Sequence, residues 1–198
     1  MNRMEHQSAS ARLFIACTPP LAVRQQLAVL LHDAPLPAGW RCLEPDGWHV
    51  TLRFLGDVAV AGIPELTATL TRLTRDHPVM TVQLTGWGAF PTHGRARVLW
   101  IGVQEIGSNA LHKLARQLAL LPPPADPRPF HPHLTLARTR HATDLTPTLP
   151  NLPEFSAEWE ITELHLIRSF LRPDGAGYAC IHSTGLICPY KPAQQMSS

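Results

Sequence analysis

Two stretches of the chain, 84 positions apart, carry the same short pattern. Trp48-His49-Val50-Thr51-Leu52-Arg53-Phe54-Leu55-Gly56 and Phe130-His131-Pro132-His133-Leu134-Thr135-Leu136-Ala137-Arg138 both read His-apolar-Thr-Leu. Such alternation suits a half-buried strand, on which residues two apart share a face. His49 is then expected to project with Thr51, and His133 with Thr135. Val50, Leu52 and Phe54, like Leu134 and Leu136, are expected to enter the core. A single His-x-Thr is ordinarily no more than the polar face of a strand. Two copies of matching parity ask for two equivalent strands, and strands lying side by side would bring two imidazoles and two hydroxyls into one cleft.

The remaining elements follow from periodicity and from prolines. Arg12 to Thr18 reads as a strand stopped by Pro19-Pro20. Val23, Leu27, Leu30 and Leu31 mark a helix face that ends before Pro35 and Pro37. A second helix is predicted from Pro64 to about Arg75, and a third from Ser108, a candidate N-cap, to Pro122. Val79 to Leu84 and Arg97 to Val103 are predicted strands, with a Gly/Pro-rich connection at Gly86 to Gly94. Further strands are expected at His133 to Arg138, Phe155 to Trp159, Glu163 to Phe170 and Gly177 to Ser183. Three helices among so many strand runs indicate an α+β fold. Residues 1–10 and 188–198 read as loose tails around one domain spanning 11–187.

Composition narrows the functions available. Seventeen Lys+Arg against fifteen Asp+Glu leave a formal charge of +2, too little for an electrostatic grip on long duplex nucleic acid. Only Lys113 and Lys191 are lysines, so the cations are mostly arginine, whose planar fork suits defined phosphate contacts. Cys17, Cys42, Cys180 and Cys188 show no zinc spacing, and Cys17 and Cys180 read as small core residues. Neither a signal-peptide pattern nor a membrane-length apolar run is visible, so the expectation is a reduced, cytoplasmic, monomeric protein that binds no membrane.

Two facing histidines suit in-line displacement at phosphorus, which needs a base on the attacking oxygen and an acid on the leaving oxygen. An imidazole with an ordinary pKa near ~6.5 can fill either role near neutral pH. Thr51 and Thr135 hydroxyls are candidates to hold the nonbridging oxygens. Arg53 shares strand parity with His49 and is a candidate for the cleft, weighed equally against a plain surface arginine. Arg138 has the opposite parity to His133 and reaches the cleft only if its strand turns. Trp48, Phe90, Phe130 and Tyr178 are candidates to stack on a base, each weighed against plain core packing. His131-Pro132-His133 invites a metal reading, but no third ligand is spaced for it, so neither metal nor cofactor is expected.

At these motifs the chain resembles the 2H phosphoesterase superfamily, in particular the RNA 2′,3′-cyclic phosphodiesterases first described as 2′-5′ RNA ligases. His49 to Gly56, Gly88-Ala89-Phe90-Pro91 with Arg97-Val98-Leu99-Trp100, and Pro132 to Arg138 carry the likeness, which extends from about Leu13 to Ser183. The resemblance implies a bilobal α+β fold, with two pseudo-symmetric lobes that each offer a motif strand to a central cleft and helices outside. It implies hydrolysis of an RNA 2′,3′-cyclic phosphate to a 2′-phosphate, with His49 as general acid and His133 as general base. The reverse assignment stays open, and the same chemistry with an RNA 5′-hydroxyl replacing water would give 2′-5′ ligation. Alternatives are a phosphodiesterase of a small nucleotide or ADP-ribose cyclic phosphate, and a non-catalytic RNA-end binding module.

Overall fold

The structure, a computed structural model, describes residues 9–124, 127–172 and 175–187. In chain order the described elements are β1 (Ser10–Cys17), α1 (Leu21–His32), β2 (Arg41–Cys42), β3 (Val50–Ala59), α2 (Ile63–Arg75), β4 (Met80–Phe90), β5 (Ala96–Glu105), α3 (Ala110–Leu118), β6 (His133–Thr143), β7 (Ala157–Ile161), β8 (Glu163–Arg172) and β9 (Gly175–Gly185). The expected α+β class holds. The expected tails at 1–10 and 188–198 lie outside the described residues, except for Ala9 and for Ser10, which already belongs to β1.

The strands form one antiparallel sheet in the order β7-β4-β5-β6-β3-β1-β8-β9, with β2 alongside β6. This order divides into two halves of four strands, and the motif strands β6 and β3 are the innermost of each. The halves meet where Val50 pairs with Leu134, the apolar residue inside each His-x-Thr. Pro78, just before β4, bridges Ile187, just after β9, so the curled sheet brings its flanks together at one end.

Leu13, Ile15 and Cys17 alternate out of β1 into the main core with Val50, Leu52, Leu134 and Leu136. Helical faces cover the same side: Val23, Leu27 and Leu31 from α1, Leu70 from α2, and Leu111, Leu114 and Leu118 from α3. Each such buried aliphatic side chain contributes roughly 1.5–3 kcal/mol relative to exposure. The opposite face of β1 carries Phe14 and Ala16, which pack with Ile167 and Tyr178 in a separate small cluster. That second face is the cleft.

Several expectations change. The Gly86 to Gly94 connection is largely strand, because β4 runs on to Phe90 with a bulge between Thr85 and Trp87. Gly86 sits in that bulge at φ 68°, a conformation glycine adopts without strain. Ser108 is not the N-cap of α3. Instead the Glu105 carboxylate accepts from the Ala110 and Leu111 N–H groups at 2.6 and 3.0 Å, while the Ser108 hydroxyl donates to the same carboxylate. Cys17 is buried, its thiol pushed up to about 12 by desolvation, whereas Cys180 on the edge strand β9 is exposed rather than core.

Candidate active site

The contact between β3 and β6 places the four motif residues. Antiparallel pairing of Val50 with Leu134, extended one residue each way, sets His49 opposite Thr135 and Thr51 opposite His133. The histidines therefore occupy diagonal corners of a four-residue patch, with a threonine at each of the others. Val50 and Leu134 are fully buried on the far side, which fixes both strands against slippage.

Both rings are oriented alike. His49 Nδ1 donates to the Gly47 carbonyl at 2.7 Å, and His133 Nδ1 donates to the His131 carbonyl at 2.7 Å. A carbonyl only accepts, so each Nδ1 carries its hydrogen and each Nε2 is left for chemistry. No hydrogen bond to another described residue engages the hydroxyl of Thr51 or Thr135.

Both motifs also break parity at the same place. In the pairing of β1 with β3, Ala16 matches Thr51 while Ile15 matches Arg53, so Leu52 is an extra residue. In the pairing of β5 with β6, Trp100 matches Thr135 while Leu99 matches Ala137, so Leu136 is extra. A bulge of this kind turns the residues after it onto the other face. Arg53 is consequently not at the cleft: it is 5% exposed, and its guanidinium donates to the Phe54 carbonyl at 2.6 Å, to the Leu121 carbonyl at 3.0 Å and to the Pro123 carbonyl. Phe54, expected in the core, is 65% exposed and lies 6.0 Å from the Phe14 ring. The equivalent bulge in β6 swings Arg138 onto the cleft face, where its charge reaches both histidines.

The aromatic candidates separate cleanly. Tyr178 stands edge-on to His49 at 5.0 Å, and Phe90 edge-on to His133 at 5.0 Å. Trp48 is only 2% exposed, with its indole N–H on the Leu43 carbonyl, and offers no face to a base. Phe130 packs against His112 of α3, outside the ring clusters at the two histidines. The structure adds Phe14, 4.7 Å from His49, and Trp100, 5.9 Å from His133. Trp100 lies flat on β4 because residue 88 is glycine; a Cβ there would fall 2.2 Å from the indole. Arg41, opposite Arg138 in the β2–β6 pair, is a further addition. Like charges directly opposed destabilise a sheet, so the pair is suited to share an anion. His131 flanks this wall 4.8 Å from Trp100. Among the described residues no group of three or more His, Cys, Asp or Glu is placed to hold a metal ion.

The electrostatics hold both imidazoles neutral in the free protein. Burial pulls His49 down to about 4, opposed by its bond to Gly47 and reinforced by the charges of Arg138 and His133. Burial also lowers His133, again reinforced by His131 and Arg138. An anion between Arg138 and the histidines would oppose these effects and return a proton to one ring. The site is poised for a negatively charged ligand.

Comparison with known proteins agrees with this geometry. Residues 21–170 match the 2′-5′ RNA ligase superfamily. The chain belongs to that family. An RNA 2′,3′-cyclic phosphodiesterase of Thermus thermophilus is 32% identical over 183 residues, covering 88% of this chain and 90% of its own. One from Archaeoglobus fulgidus is 28% identical over 174 residues, covering 84% and 96% respectively. Among solved structures, Escherichia coli LigT complexed with 3′-AMP superimposes with a TM-score of 0.74 at 28% identity, covering 90% of this chain and 99% of LigT. No helix among the described residues is long and apolar enough to cross a membrane.

Proposed function

We propose that the chain opens the 2′,3′-cyclic phosphate at an RNA end to a 2′-phosphate, using His49 and His133 as acid and base. The observation that carries this reading is the diagonal placement of two imidazoles whose Nδ1 atoms are both tied to backbone carbonyls. Neutral His133 takes a proton from water through Nε2 as the water oxygen attacks phosphorus. The P–O3′ bond breaks, and protonated His49 delivers its Nε2 proton to O3′. Thr51 and Thr135 hydroxyls and the Arg138 guanidinium hold the nonbridging oxygens as charge develops on them. The two rings perform both proton transfers, so the step as written calls on no metal. With an RNA 5′-hydroxyl in place of the attacking water, the same forward step breaks P–O3′ and leaves a 2′-5′ linkage.

The relatives named for RNA 2′,3′-cyclic phosphodiesterase activity support the substrate class. The test is incubation with a 2′,3′-cyclic nucleotide in EDTA, followed by identification of the product isomer. A 2′-phosphate is expected. A 3′-phosphate, or no turnover until a divalent metal is restored, would overturn the mechanism.

A further inference from the structure

Beside the ring cluster at His133 lies an open cavity of about 480 Å³, within the range of roughly 300–1,000 Å³ typical of small-molecule sites. It shares Trp100 and His131 with that cluster but contains neither catalytic histidine and neither motif threonine. An occupant therefore sits next to the phosphate position, not at it. The chemistry of the lining is distinctive. Trp87, Trp100, His112 and His131 supply ring faces and edges, and Gln104 and Asn109 supply side-chain amides. No arginine or lysine lines it. The α3 N-terminus at its rim is already occupied by the Glu105 carboxylate, which would repel a further anion.

Aromatic faces with amides and no cation recognise an uncharged planar heterocycle rather than a phosphate. Continuity with the catalytic cleft makes the RNA chain itself the source of that heterocycle. Building on the function proposed above, we infer that this cavity receives the base of the nucleotide adjoining the one that carries the cyclic phosphate. The enzyme then reads an oligonucleotide end rather than a free cyclic mononucleotide.

The test compares kcat/KM for a 2′,3′-cyclic mononucleotide and for a dinucleotide ending in the same cyclic phosphate. Wild type is expected to prefer the dinucleotide by about tenfold or more, the scale of one stacked or hydrogen-bonded base. Gln104→Leu is expected to erase most of that preference. Asn109→Ser, which keeps a residue suited to a helix N-cap, serves as a second variant should the first fail to fold. Equal kcat/KM for the two substrates in wild type would overturn the inference, as would equal losses on both substrates in the variants. Turnover of neither substrate by wild type would instead overturn the function proposed above.

Discussion

Acidification should destabilise the protein through His49 in a way that one substitution removes. His49 is held to about 4 in the folded state, against about 6.5 in the unfolded chain. The folded state thus binds fewer protons than the unfolded state between these values. Its contribution to stability is complete above pH 6.5 and is lost as pH falls through 6.5 toward 4. The full loss amounts to about 3 kcal/mol, of which about 2 kcal/mol appears between pH 8 and pH 5. His133 is lowered by the same cause and acts in the same direction. His49→Gln cannot titrate, so urea unfolding in phosphate-free buffer should show its stability falling by about 2 kcal/mol less than wild type over that interval. Parallel curves for the two proteins would refute the claim that burial holds this ring neutral.

Other substitutions separate the buried Arg53 from Arg138 on the cleft face. Arg53→Met should destabilise by about 3 kcal/mol, since three carbonyls lose a charged donor, yet leave the specific activity of the folded fraction nearly intact; denaturant melts and rates per folded molecule check this. Arg138→Ala should lower kcat/KM by about 10²-fold. It should also shift both limbs of the pH–rate profile to higher pH, because its positive charge lowers both histidines. Gly88→Ala should displace the Trp100 ring and cut activity more than stability, read by kinetics alongside thermal melts.

The pairing of His49 with Thr51 and of His133 with Thr135 was legible because each motif lies before its bulge, where strict alternation still applies. Parity failed just beyond, at Leu52 and Leu136, since neither residue announces that it will be the extra one. The bulge at Leu52 exchanged the places of Arg53 and Phe54, and the bulge at Leu136 brought Arg138 to the cleft. Phe14 and Trp100 were hidden by their own hydrophobicity, which reads as core on either face of a strand. Arg41 lies in a two-residue strand, too short for any period. The glycines at 86 and 88 signalled a loop by composition, yet one supplies the bulge of β4 and the other makes room for Trp100.

The pH dependence of kcat/KM in His49→Ala and His133→Ala tests the central claim most directly, with a 2′,3′-cyclic-phosphate-ended RNA as substrate. Wild type should give a bell whose two apparent constants belong to the coupled pair, with its optimum on the acid side of an ordinary histidine. Each variant should lose about 10²-fold or more, His49→Ala together with the alkaline limb and His133→Ala together with the acidic limb. Exchange of the two limbs would reverse the acid and base assignments. Either variant keeping the wild-type rate and a complete bell would contradict two-histidine catalysis.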